Sequence, residues 1–118
     1  MARDRATAIV VREGRYLLVR DRGRETFALP GGGIEDEESA SSAMARELYE
    51  ETGLHTTSIT RLFTFGGKHN DHVVFRVEAD GEVEAMGEVD GFTWWDGGDD
   101  TPVYPHVKGI LSAWRKSA

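Results

Sequence analysis

Residues 30–54, PGGGIEDEESASSAMARELYEETGL, restrict what this chain can fold into more than any other stretch. Pro30 disfavours helical backbone at Leu29, and Gly31, Gly32 and Gly33 favour turns and close backbone approach over regular structure. PGGGIEDEES is therefore expected to be a glycine-rich, acidic loop. The second half reads differently. Ser39 can accept a hydrogen bond as an N-cap and Gly53 suits the left-handed position that ends a helix, so residues 39–52 are expected to be helical. The acids at 35–38 place negative charge at the end of the helix that favours it. Met44 and Leu48 give the helix an apolar side to bury.

Within that helix lies Arg46-Glu47-Leu48-Tyr49-Glu50-Glu51. At about 100° per residue, Glu51 falls about 40° to one side of Glu47 and Glu50 about 60° to the other. Three carboxylates thus share one face. Like charges at this spacing oppose helix formation by a few tenths of a kcal/mol unless something offsets them. A hard divalent cation is one offset, since Mg²⁺ takes oxygen ligands from one or two carboxylates and from substrate phosphates. A solvated acidic face with basic neighbours is the other, and spacing alone leaves both standing. The glycines do not form a phosphate-cradling P-loop, because no Gly-Lys-Ser/Thr follows, and their spacing does not fit a dinucleotide fingerprint.

Around this segment the chain alternates apolar runs with turn signals. Residues 5–12 read as a strand, Glu13-Gly14 as a tight turn and residues 15–20 as the returning strand of a hairpin. Residues 21–25 form a charged loop, and 26–29 a short strand before Pro30. Residues 56–65 and 72–78 are strand candidates joined by GGKHND. Asp80-Gly81 is a turn, residues 92–95 a short strand and 96–105 a loop. Val107, Ile110, Leu111 and Trp114 recur at helical spacing and predict an amphipathic C-terminal helix. Two helices and about five strands without regular βαβ alternation argue for an α/β layered fold on a mixed sheet rather than a doubly wound one.

With 118 residues, the chain suits one domain spanning 1–118. Its formal net charge of -7 repels nucleic-acid backbones, which argues against long nucleic acid as a partner. Divalent cations can still bridge acidic groups to phosphate. The chain contains 0 cysteines, which removes disulfides, thiolate nucleophiles and Cys-based metal sites and agrees with a cytoplasmic location. No apolar run approaches membrane-span length, and the N-terminus lacks a secretory core.

The segment at 32–54 resembles the signature of the Nudix hydrolase family, G-x5-E-x7-R-E-U-x-E-E-x-G-U with U a bulky aliphatic residue. Gly32, Glu38, Arg46, Glu47, Leu48, Glu50, Glu51, Gly53 and Leu54 fill its fixed places without a departure. The resemblance implies a Nudix-type α/β/α sandwich with a mixed β-sheet and two main helices. It implies hydrolysis of a pyrophosphate bond in a nucleoside triphosphate or nucleoside diphosphate-linked compound, by in-line attack of a metal-activated water. Glu47, Glu50 and Glu51 would hold Mg²⁺, or Mn²⁺ as a substitute, helped by a backbone carbonyl of Gly31-Gly32. Glu38 would brace the loop, and Arg46 would orient a neighbouring carboxylate. Glu88 resembles the extra carboxylate that the family recruits from a later loop, with Glu82, Glu84 and Asp90 as rivals. Either Glu50 or Glu88 would take the proton of the attacking water. Ser39, Ser41 and Ser42 are better explained by capping and exposure than as nucleophiles.

Substrate contacts must come from outside the signature. Arg20, Arg22 and Arg24 precede the glycines and suit phosphate oxygens. Lys68, His69 and His72 form a second basic group, with no third partner at zinc-ligand spacing. Phe27, Phe75, Trp94, Trp95 and Tyr104 can stack on a base or fill the core, and strand alternation puts Trp94 and Trp95 on opposite faces. Trp94 is thereby a candidate base contact. Trp114 fits the apolar stripe of the last helix. The expected partner is a nucleotide-like small molecule, with a homodimer as the expected assembly. The rival function is a catalytically silent nucleotide-binding or protein-interaction module of the same fold, which would be expected to lack one of Glu47, Glu50 or Glu51.

Overall fold

The computed structural model describes residues 3–117. The elements are β1 (Arg3–Ile9), β2 (Val11–Arg12), β3 (Arg15–Asp21), β4 (Gly31–Gly33), α1 (Ala40–Thr52), β5 (His55–Gly66), β6 (Asn70–Asp80), β7 (Val89–Trp95) and α2 (Pro105–Ser117). One sheet has the order β4-β1-β6-β5 and is mixed, with β1 parallel to β6 and antiparallel to β4. Parallel neighbours need a long crossover, and α1 lies in the stretch that returns the chain from β1 to β6. The second sheet, β2-β3-β7, is antiparallel.

Strand alternation sorts the core into two layers. Ala6, Ala8, Val73, Phe75 and Leu17 turn to one side, where Met44 and Leu48 of α1 meet them. Ile9, Val74, Leu18 and Trp95 turn to the other, against Val107, Ile110 and Leu111 of α2. The result is the α/β/α sandwich with a mixed sheet and two main helices. Each fully buried Leu or Met side chain contributes about 1.5–3 kcal/mol by leaving water. Among the described residues, no helix is long and apolar enough to cross a membrane.

Helix α1 obeys its end signals. Ser39 has extended backbone, and its hydroxyl accepts from the Ser42 N–H at 3.1 Å. Gly53 sits at φ 74°, donating its N–H to the Tyr49 carbonyl at 2.9 Å. Thr52 Oγ1 donates to the Leu48 carbonyl and accepts from the Leu54 N–H, which turns the chain towards β5.

Four local expectations are corrected. Residues 5–12 are not one strand. The run breaks at Val10, so that β1 joins the mixed sheet while only β2 pairs with β3. The Glu13-Gly14 turn is present, with φ of 52° and 75°, but its hairpin is short. Residues 26–29 make only isolated bridges, Ala28 to Val19 and Phe27 to Val103. The three glycines are not loop but strand β4, opposite Arg5, Ala6 and Thr7. A Cβ on Gly31 would stand 2.0 Å from the Ala6 carbonyl oxygen, so the lack of side chains is what lets β4 lie so close to β1.

Candidate active site

Strand β4 carries its glycines to the acidic face of α1. A Cβ on Gly32 would come within 2.3 Å of the Glu47 carboxyl carbon, so glycine leaves the space this carboxylate fills. Glu51 turns towards the same strand, and its Oε1 accepts from the Gly31 N–H at 3.1 Å. Burial, aided by the nearby charges of Glu47 and Asp21, pushes the Glu51 carboxyl up to about 8, against the pull of the Gly31 N–H and Arg5. Glu50 is more open, with 54% of its side chain exposed.

Arg46 organises the group. Its Nε and Nη2 donate to the two oxygens of Glu38 at 2.7 and 2.9 Å, a forked pair that holds this carboxyl down at about 2. Its Nη1 donates to Glu47 at 2.9 Å and to Glu50 at 3.4 Å. These partners raise the already high pKa of the guanidinium, the Glu38 hydrogen bond most of all. Among the described residues, no three His, Cys, Asp or Glu side chains form a ready-made cation cage. The positive charge lying between Glu47 and Glu50 is that of Arg46.

Glu88 lines the same cleft as Glu47, Glu50 and Glu51. It gets there because the segment before β7 is stitched to the end of α1. The Glu84 and Met86 N–H groups donate to the Thr52 and Glu51 carbonyls, each at 3.0 Å. The other late acids lie elsewhere. Asp90 pairs with Arg20 at 3.3 Å, and Glu82 borders a surface recess with Arg12 and Trp94.

The donor set suits a hard divalent cation. Glu51 is partly buried and accepts one amide hydrogen bond, from the Gly31 N–H, and burial that raises its pKa outweighs the pull of that bond and of Arg5. Glu47 and Glu50 add further oxygens, and β4 presents backbone beside them.

On the α2 side of the sheet, next to this centre, is a basic groove lined by Arg5, Arg24, Lys68, His69 and Asp21, with His72, Tyr104 and His106 at its inner end. Arg5 bridges the two regions electrostatically, because its charge acts on Glu51 and on both inner histidines. His72 is buried, and its Nδ1 lies 2.8 Å from Thr7 Oγ1. Burial first, then His106 and Arg5, lower its pKa to about 4.

The substrate-side candidates divide. Arg24 and His69 reach the groove. Arg20 stacks over Phe27 and pairs with Asp90, and Arg22 donates to the Gly87 carbonyl. Trp94 lies under Arg12 against the α1-side core, away from the groove, while Trp95 is in the α2-side core. Phe75 is also core. Sequence reasoning missed Arg5 and His106. Arg5 lay inside an apolar strand, and its register opposite His72 comes only from the parallel pairing of β1 with β6. His106 hid at the start of α2, where the helical stripe drew attention to its apolar neighbours.

Residues 1–99 match the NUDIX domain. This chain belongs to that family. A NUDIX chain from Chromobacterium violaceum, a nudix hydrolase family member, superposes with a TM-score of 0.88 at 29% identity, over 98% of this chain and 78% of the other. A MutT NUDIX hydrolase from Burkholderia pseudomallei gives 0.82 at 25% identity, over 95% of this chain and 97% of the other. An RNA pyrophosphohydrolase of Shewanella sp. (strain ANA-3) is 45% identical over 51 residues, which are 43% of this NUDIX chain but 29% of that relative. The chain thus matches less than a third of the length of that curated relative.

Proposed function

We propose that this NUDIX protein hydrolyses a pyrophosphate bond in a nucleoside triphosphate or nucleoside diphosphate-linked compound, with Mg²⁺ as cofactor and Mn²⁺ as a substitute. One observation carries the reading. A cleft lined by Glu47, Glu50, Glu51 and Glu88 adjoins a groove lined by Arg5, Arg24 and Lys68. Phosphate suits the basic side, and a cation suits the acidic side.

Glu47, Glu50 and Glu51 would hold the ion, with backbone carbonyl oxygen from Gly31-Gly32. When bound, Mg²⁺ supplies neutralisation of pyrophosphate charge and activation of water. The chain's own groups do the rest. Arg46 holds Glu47 and Glu38 in fixed orientations through charged hydrogen bonds. Arg5 and Arg24 draw the phosphates into the groove. Glu50, the most exposed of the three helix carboxylates, or Glu88 across the cleft takes the proton released as water attacks phosphorus.

The test is a panel of nucleotides incubated with Mg²⁺, with both products identified. Pyrophosphate and a monophosphate from a triphosphate, or two monophosphate products from a linked diphosphate, support the proposal. Release of inorganic phosphate alone refutes the pyrophosphohydrolase reading, and no turnover of any nucleotide refutes hydrolysis altogether. The second outcome would favour the silent binding module.

A further inference from the structure

Four residues on four neighbouring strands stand opposite one another. Gly33 of β4 pairs with Arg5 of β1, Arg5 with His72 of β6, and His72 with Phe65 of β5. Paired residues in adjacent strands project to the same face, so Arg5, His72 and Phe65 form one row across the α2 side of the sheet. The row begins beside the glycine strand that touches Glu47 and Glu51 and ends at an aromatic ring. Three strand spacings make it about 14 Å long.

The start of α2 covers the far end of this row. His106 stacks on His72, with ring centroids 4.7 Å apart and 27° between planes, and on Tyr104 at 5.7 Å and 10°. Phe65 points the Cζ end of its ring at α2 where Gly109 has no side chain, since a Cβ there would come within 2.6 Å of that atom. Phe65, Tyr104 and His106 together border an opening whose far wall is the Gly66–His69 turn. All three rings are only half-buried, so the shelf has surface left to offer.

We propose that the half-buried Phe65–Tyr104–His106 shelf binds the planar base of a nucleotide substrate, and that His106 is the residue that sets base preference. The inference rests on the hydrolase reading above and deepens it. A flat heteroaromatic ring gains by stacking on such a shelf, and its phosphates would run along the row past Arg5 to the carboxylates. His106 adds more than a face. Burial and the charge of Arg5 lower its pKa, so the imidazole is neutral near pH 7 and offers one donor and one acceptor nitrogen. Edge groups of that kind distinguish bases, whereas a bare aromatic face accepts any of them.

The experiment measures kcat and KM with Mg²⁺ for nucleotides that differ only in base, in the wild type and in His106→Phe and His106→Ala. Binding of the matching nucleoside monophosphates and of inorganic pyrophosphate is followed by calorimetry. His106→Phe keeps a stacking face and loses the polar edge. It should retain KM within roughly tenfold for the best substrate and flatten the ranking of bases. His106→Ala should raise KM roughly tenfold or more and weaken monophosphate binding to match, leaving pyrophosphate binding within about twofold. An unchanged ranking in His106→Phe overturns the proposal. So does a change that follows the group beyond the second phosphate rather than the base. Should His106→Ala unfold, His106→Phe alone decides. These outcomes presuppose turnover by the wild type, whose absence would instead refute the hydrolase reading.

Discussion

Glu50 and His72 show how differently two polar residues of one fold respond to change. Glu50 is half exposed and its contacts with Arg46 are long, at 3.4 and 3.5 Å, so Glu50→Gln should leave the thermal midpoint within a few degrees. Loss of a carboxylate that holds an ion or takes a proton should lower kcat by at least roughly a hundredfold. Steady-state assays with Mg²⁺ decide this, and full activity would remove Glu50 from both roles. His72 belongs to the fold itself. Its pKa is about 4 in the folded protein against 6.5 for a free imidazole. Below pH 6.5 the unfolded chain takes up a proton that the fold refuses, so stability present above 6.5 is lost as pH falls through 4. Urea midpoints followed by tryptophan fluorescence should fall further between pH 7 and pH 5 in the wild type than in His72→Gln. An equal fall in both would show that His72 does not govern the acid limb. The raised pKa of Glu51 acts in the opposite sense, costing stability as pH rises from 4.5 towards 8.

At the scale of elements, α1 was legible because its information is local. Ser39, Met44, Leu48 and Gly53 each act within one turn of the position they control, and helix limits and buried side follow from them. Ser39→Ala should therefore cost about 1 kcal/mol by denaturant unfolding and leave KM unchanged. No change in stability would mean that Ser41 or Ser42 takes over the cap. Strand β4 was illegible for the converse reason. Nothing in Gly-Gly-Gly favours extended backbone, and it becomes a strand only because β1 offers a ladder and no side chain blocks approach. The break at Val10 is similar. Within RATAIVVR the residues on either side of the break, AIVV, are all apolar, so periodicity could not reveal that its two ends join different sheets. The same divide runs through the site. The carboxylates and Arg46 lie within one short segment and could be read by spacing. The groove is assembled from β1, β6 and the start of α2, and it joins residues far apart in the chain, as Thr7 and His72, which are 65 positions apart, show.

For the whole molecule, charge is the property that couples stability to ligand. A formal charge of -7 and a buried Glu51 carboxyl both disfavour the compact state near pH 8. Mg²⁺ should raise the thermal midpoint there more than NaCl of equal ionic strength does, with about 2.7 kcal/mol gained at a hundredfold excess over Kd. Glu51→Gln should unfold at a higher temperature than the wild type without divalent cation and should lose most of the Mg²⁺ increment. An undiminished increment in that variant would place the ion elsewhere. The row from Gly33 through Arg5 and His72 to Phe65 has a further consequence at this scale. Its length is counted in strand spacings of about 4.8 Å and cannot stretch without breaking ladders. The sheet then works as a ruler, with the ring end of the substrate as its zero mark. Lengthening a polyphosphate tail by one unit should leave the cut at the same distance from the base, so the extra phosphate departs with the leaving group.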